Sequence, residues 1–572
     1  MTFTRTSSFL CLLFCACNKP DDGASSDGSS SGGATTTTTT VAPTTTDAPT
    51  TDTTSPGETT VADPTGETDS GSDSGSSGGV VPCDPGPWVA IDEVLTMIAH
   101  DLDGAAVSVD AFPFTRYLSF VHLANAGLCD ADIEVHRQAA AKLVNSLSQG
   151  VLVAPPVAID ERRLLLRIDI RDYGWNSGPV QLSAPSFHFR DFDPMTTNPA
   201  EQAELDKVFA DKWEMIADQD PYSVSYTGDQ AQLIATDTHT RFPILQGDAF
   251  VDVASRAPLY YDILGIPLRA GRLAADHPPC VGDECLEGQL GLDLLGDIAG
   301  ELVDDDDETN RAGLHMSDVS DFNRVIERHE FVDANNRSLW IAYDFASQVG
   351  LSNIRKHPLD FEFDQTALLY SLPNGFQAYM LTDADGRRID EAGVHILQDP
   401  SQKDALSRGG VSCIGCHSVG LIRAADDIRF DLDSGQSEET FSSEEIDQIR
   451  ALYPIREEFD ALLSQDIARF VAALEQCGLD PEPASEPVMT SFLAFDEPIA
   501  IKRAAAELGL QEADLQLLIA KLSADLLELG KGGTVQRRDF TVNYAASACL
   551  LNMGLTRCCP VDTQTLEPGC GP

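Results

Sequence analysis

At 572 residues, 42% of them hydrophobic, the chain is long enough for two or three domains with real cores. Its 91 acidic against 38 basic residues argue against nucleic acid and anionic membrane surfaces as partners, and fit a basic redox partner or simple solvation. Beyond the N-terminus no apolar run approaches the roughly 18 residues that a membrane-spanning helix needs, so none is expected.

Residues 1–17 read as an export signal, with Arg5 as the positive n-region and residues 9–16 as an apolar stretch too short to span a bilayer. It ends in Phe14-Cys15-Ala16-Cys17, which resembles a bacterial lipobox and makes Cys17 the candidate lipidated residue. An ordinary secretory signal cut nearby is the alternative. Residues 18–82 are rich in Ser, Thr and Gly, with almost nothing that can join a core, and are expected to form a disordered tether. The expected location is therefore the cell envelope, on the periplasmic side or at the cell surface, held by the lipid anchor only.

A large mixed α/β domain is expected over residues 83–400. Residues 91–99 form a helix with Val94, Leu95 and Ile98 on one face. The run 116–123 leads to a helix stop at Asn125-Ala126-Gly127, and Asp130 caps a helix over 133–147. His122 and His136 in these segments read as packed or surface residues rather than ligands. In residues 164–175, Ile168 and Ile170 alternate with Asp169 and Arg171, the pattern of a strand buried on one face. The runs 231–235, 339–345 and 367–372 are shorter strand candidates. Residues 379–382 form a strand that enters the turn Asp383-Ala384-Asp385-Gly386-Arg387. That turn lacks the further acidic ligands of a calcium loop, so a hairpin is favoured. Cys280 and Cys285 flank a short turn and are expected to pair in an exported protein. The acidic run 304–308 reads as a solvated loop.

The next stretch is Val411-Ser412-Cys413-Ile414-Gly415-Cys416-His417, a C-x-x-C-H sequence, the attachment pattern for c-type haem. The spacing puts both sulfurs on one face of a tight helical turn, where they can form thioethers with the porphyrin vinyl groups. The histidine that follows then falls under the iron as proximal ligand. Gly409-Gly410 lets the chain bend into the turn. Zinc needs a fourth ligand, and no second C-x-x-C occurs. A thiol–disulfide exchanger or a structural disulfide are the other readings.

A cytochrome c-like haem region is expected over 401–480, and a helical region with a Cys-rich tail over 481–572. Ser442 and Glu445 form a capping box, and residues 444–475 read as helical with a kink or break at Pro454. Residues 504–508, 512–529 and 540–551 are further helix candidates. Setting aside Cys11, Cys15, Cys17 and the haem pair leaves nine of the 14 cysteines, an odd number, so at least one is unpaired or pairs between chains.

The chain resembles a group of bacterial exported cytochrome c-like proteins that carry a single C-x-x-C-H late in the sequence. The likeness runs through Arg116-Tyr117-Leu118-Ser119-Phe120-Val121-His122-Leu123, Ala254-Ser255-Arg256-Ala257-Pro258-Leu259-Tyr260-Tyr261 and Leu372-Pro373-Asn374-Gly375-Phe376-Gln377-Ala378-Tyr379 to the haem motif, and covers roughly residues 115–545. The resemblance implies covalent haem and, by analogy, electron transfer.

No histidine follows His417. Met489, in a proline-rich stretch that reads as a loop, and Met553 are the downstream methionines; His329, His357 and Met380 are upstream alternatives for the second axial position, and a five-coordinate iron that leaves it open is the remaining reading. His357 precedes Pro358, which favours an extended, loop-like placement. The reading as a whole is an α+β, exported mono-haem protein with one covalent haem c on Cys413, Cys416 and His417 that transfers single electrons to a protein partner. A haem enzyme of the peroxidase or oxidase kind, and a binding or structural lipoprotein with a sensory or structural haem, are the alternatives.

Overall fold

The computed structural model describes residues 83–176, 211–271, 285–290, 310–317, 319–331, 337–423, 425–435 and 440–556. From Asp84 onward they belong to one compact unit; Cys83 is the one described residue of a second, Asn18–Cys83. The export signal with Cys17, the tether, Cys280, the acidic run 304–308 and the C-terminal cysteines 558, 559 and 570 lie outside the described residues. No helix among the described residues is long and apolar enough to cross a membrane.

The chain is α+β. Its first sheet has the order β2-β3-β1-β4, from β1 (Thr115–Ser119), β2 (Val157–Ala158), β3 (Leu165–Asp169) and β4 (Ile244–Gln246). All of β1 is buried, Arg116 included, whose guanidinium donates to the carbonyls of Pro113, Thr115 and Thr238. The run 116–123 is thus a strand followed by a short helix, Val121–Asn125. The helix Asp130–Ser146 starts at the expected cap, Asp130, with Cys129 as the capping residue instead. Residues 231–235 are not a strand. They lie in the helix Asp229–Thr238, which buries Ala231, Ile234 and Thr238 at helical spacing.

The second sheet is an antiparallel meander of neighbours in sequence: β5 (Asn310–Leu314), β6 (Arg324–Glu330), β7 (Ser338–Asp344), β8 (Gln365–Ser371), β9 (Gln377–Asp383) and β10 (Arg388–Ile389). The Asp383-Ala384-Asp385-Gly386 segment is the expected hairpin turn. The Asp383 carboxylate accepts from the backbone N–H groups of Asp385 and Arg387, and Gly386 takes the positive φ of 72° that the turn needs. Directly opposed residues point to one face, so the register puts Ile326, Ala342, Ala367, Leu381 and Ile389 in one row across the sheet. The next row on that face is Arg328, Trp340, Leu369 and Tyr379, and the one on the other side is Arg324, Asp344, Gln365 and Asp383.

The predicted helix over 444–475 is two helices, Ser443–Leu452 and Arg456–Gln476, separated at Pro454; the Ser442–Glu445 capping box opens the first. The second covers the Arg328–Tyr379 row, with Phe459 edge-on to Trp340 at 5.7 Å and Asp466 accepting from Arg328, Ser338 and Trp340. Residues 512–529 are helical only over Glu512–Leu518 and continue as short 3₁₀ turns. With the helices Ile501–Glu507 and Arg537–Leu550 they enclose a second apolar cluster. The helix Pro487–Phe495 packs on both Asp130–Ser146 and Val411–Cys416, so the packing crosses the boundaries expected near 400 and 480.

Candidate functional site

The C-x-x-C-H stretch forms the helix Val411–Cys416, with His417 as its C-cap. Gly410 enters it at φ 86°, where a Cβ would lie 2.8 Å from the Tyr260 ring. Only glycine fits a position with that φ and so close an approach. Val411, Ser412 and Ile414 are buried, 0–2% exposed, and each buried aliphatic side chain contributes roughly 1.5–3 kcal/mol toward fixing the turn. Cys413, Cys416 and His417 are only partly buried. Spaced i, i+3 and i+4, they share one helical face, the face the fold leaves least covered.

Cys413 and Cys416 remain thiols rather than a disulfide. Burial pushes the Cys413 thiol up to about 12, the opposite of the lowered pKa that a thiol–disulfide exchanger's nucleophile needs. Among the described residues no group of three metal-ligating atoms includes either cysteine, so no zinc site is assembled around them. Cys413 packs beside Leu381, Ala392 and Leu397, with Ala367 and Ile389 joining the cluster. The turn thus sits on the row that contains Ala342 and Ala367.

His417 is held from two sides. Its Nδ1 lies 3.0 Å from the Gly420 carbonyl oxygen, and its ring stacks on Tyr379, centroids 5.6 Å apart. Nδ1–H donates to that carbonyl, which fixes the tautomer and leaves the Nε2 lone pair for a metal. Desolvation lowers its pKa to about 4, against a smaller opposite effect of the Gly420 carbonyl. The imidazole is therefore neutral at physiological pH, the form that ligates iron. Lys142 steadies the loop beyond the turn by donating to the Ser418 carbonyl at 3.2 Å, while paired with Glu486 at 3.1 Å. Tyr260 and Tyr261 brace β9, their hydroxyls accepting the N–H groups of Tyr379 and Leu381.

Beside this turn Ile326, Ala342, Ala367 and Ile389 are partly exposed, while the row through Trp340 and Tyr379 is buried. The sheet therefore has an accessible strip with two alanines at its centre, next to three half-buried side chains of the right types. These residues fit a haem c: two thiols and a neutral imidazole share one face, and the adjoining surface is apolar.

The second-ligand candidates fall elsewhere. Met489 lies in the helix Pro487–Phe495, not in a loop, and packs against Val411 and Gly415 on the side of the turn away from Cys413, Cys416 and His417. Met380 is fully buried in β9 and, next in sequence to Tyr379 and Leu381, points to the opposite sheet face. His329 bonds Glu327 at 2.7 Å inside the sheet, and His357 bonds Asp360 at 3.1 Å on the surface. Met553 packs with the C-terminal helices. As expected, His122 and His136 are packed residues, bonded to Asp248 at 2.7 Å and Ser491 at 2.8 Å. Cys285 is disulfide-bonded, and its expected partner Cys280 lies outside the described residues. Cys477 is a buried thiol, one unpaired cysteine of the kind the odd count requires.

The pattern reading of the sequence missed the Tyr379 platform, the Gly420 carbonyl and the alanine row, because each depends on strand register. The strand signal of residues 379–382 was their only local trace. No family model, no curated protein and no solved structure matches this chain.

Proposed function

We propose that the chain carries one haem c, bound covalently through Cys413 and Cys416 with His417 as proximal ligand, and transfers single electrons in the cell envelope. The observation that carries this reading is the shared half-buried face of Cys413, Cys416 and His417, with His417 Nδ1 committed to the Gly420 carbonyl. When bound, the haem supplies a one-electron ferric–ferrous couple. The chain's own residues present the thiols, fix the imidazole tautomer, and shield one side of the site with the sheet. Export and anchoring at Cys17 belong to the same reading, because c-type haem is attached outside the cytoplasm. The excess of 91 acidic over 38 basic residues suits a basic protein partner.

The test is haem detection on denatured protein from a host that matures c-type cytochromes, with Cys413→Ala/Cys416→Ala alongside. Haem that stays with the wild-type band and is lost from the variant is the expected result. A haem-free wild-type band, where a control cytochrome matures in the same host, overturns the reading.

A further inference from the structure

On the far side of the partly exposed alanine row, the loop that leads into the turn carries another histidine that belongs to no motif. Residues 391–408 run as a loop into the haem turn, tied by the bridges Glu391–Arg408 and Gln398–Leu406. Within it, Ile396 and Leu397 donate to the Gly393 carbonyl in a tight turn with His395 at its tip. The loop is pinned to the sheet where the Gly393 N–H donates to Gln365 Oε1 at 3.0 Å. His395 lies at the same place: a Cβ on Gly393 would lie 3.1 Å from His395 Cε1 and 3.4 Å from Gln365 Oε1. Ala392 and Leu397, on either side of His395, pack in the cluster that receives Cys413.

The register places the two histidines. His417 stacks on Tyr379, in the row on one side of the Ala342–Ala367 row, and the turn that carries His395 is bonded through the Gly393 N–H to Gln365, in the row on the other. Side chains on one sheet face repeat every second residue, about 7 Å along the strand. The two flanking rows are therefore about 13 Å apart, so the two histidine side chains, each leaning toward the Ala342–Ala367 row, would have room for a planar macrocycle between them. The three partly exposed residues Ile326, Ala342 and Ala367 form the floor between them. His395 is exposed and makes no hydrogen bond or ion pair among the described residues, in contrast to His122, His136, His329 and His357, each of which is bonded to a carboxylate or hydroxyl.

We infer that His395 is the second axial ligand of the haem iron, which makes the site bis-histidine. This rests on the haem reading above and deepens it: with both axial positions filled by strong protein ligands, the iron is closed to substrates, which suits electron transfer over catalysis.

The experiment uses the full-length, haem-loaded protein, with covalent haem first confirmed on a denaturing gel for each variant. Optical and electron paramagnetic resonance spectra of the ferric state are then compared for wild type, His395→Ala and His395→Met. Expected are a low-spin bis-histidine wild type, a His395→Ala variant that keeps its covalent haem but turns high-spin, and return of the low-spin signal when imidazole is added. His395→Met should show the sulfur-to-iron charge-transfer band of a methionine-ligated haem, a signature that mere loosening of the loop does not produce. Met489→Leu and His357→Ala should leave the wild-type spectrum unchanged. A high-spin or methionine-ligated wild type, or a low-spin spectrum that survives His395→Ala, overturns the assignment while leaving covalent haem intact. A wild-type chain with no covalent haem overturns the haem reading, and this assignment with it.

Discussion

The ring of Tyr379 lies against that of His417, with centroids 5.6 Å apart and planes 26° from parallel. Tyr379 is itself fixed: its N–H donates to the Tyr260 hydroxyl at 3.2 Å and its hydroxyl to Gln377 Oε1 at 3.3 Å. The central sheet thus orients the imidazole through one aromatic ring, while the Gly420 carbonyl sets its tautomer. Tyr379→Ala removes that ring from a buried site and should destabilise the fold by about 3–5 kcal/mol. Tyr379→Phe keeps the stack and gives up one weak hydrogen bond, at a cost of about 1 kcal/mol. Urea unfolding of the two variants checks this; equal losses would show that the ring does not support the turn.

Cys477 is 6% exposed, accepts a contact from Asn145 Nδ2 at 3.4 Å, and is kept protonated by burial that raises its pKa to about 12. A thiol reagent attacks the thiolate, so Cys477 should resist alkylation in the native protein and react fully once the chain is unfolded without reductant. Peptide mapping by mass spectrometry reads both states. Rapid native labelling at Cys477 would contradict its placement at the C-cap of the helix Arg456–Gln476, against Ala141 and Asn145 of the helix Asp130–Ser146.

What could be read from the sequence follows from how local each feature is. The C-x-x-C-H turn, the Ser442–Glu445 cap and the hairpin at Asp383 are set by residues within a few positions of one another, and the helical turn, the capping box and the hairpin all form as the pattern predicts. The run 231–235 became a helix because a five-residue apolar stretch has no period of its own, and Ala231, Ile234 and Thr238 fit a helical face. Buried Arg116, Arg311 and Arg328 were illegible, since pattern reading places charges outside and only tertiary partners make their burial tolerable. His395 gave no signal either, because the place where its loop meets Gln365 depends on a sheet of unknown register.

His136 is 5% exposed, and desolvation lowers its pKa to about 4, opposed in part by the Asp248 carboxylate and reinforced by Arg503, His122 and Arg137. In the unfolded chain it titrates near 6.5. Between these values the unfolded state binds the proton and the folded state does not, so stability from His136 is present at neutral pH and is lost as pH falls toward 4. Asp220, raised to about 7, and Asp426, raised to about 6, act in the opposite direction over the same range, so the wild-type profile alone does not isolate the histidine. The comparison with His136→Asn does. The stability gap between wild type and variant should narrow by about 3 kcal/mol from near-neutral pH to about pH 4. A gap that stays constant with pH would mean that His136 binds its proton equally in both states.

Gly415 marks where the C-x-x-C-H turn meets the helix Pro487–Phe495. A Cβ built there would lie 2.6 Å from Met489 Cε and 3.4 Å from its Cβ and Cγ. Gly415→Ala therefore sets two effects against each other. Replacing a helical glycine gains roughly 0.5–1 kcal/mol of backbone entropy, while overpacking costs roughly 1–3 kcal/mol. Because Met489 also contacts Ser401 Oγ and Gln402 Nε2 through its sulfur, at 3.7 and 3.5 Å, its side chain is not free to swing aside, and the overpacking should win by about 1 kcal/mol. Met489→Ala removes the obstructing atoms, so in that background Gly415→Ala should become stabilising. A double-mutant cycle by urea denaturation measures the change of sign. If Gly415→Ala had the same sign and size in both backgrounds, Met489 would not be the residue that holds the back of the turn.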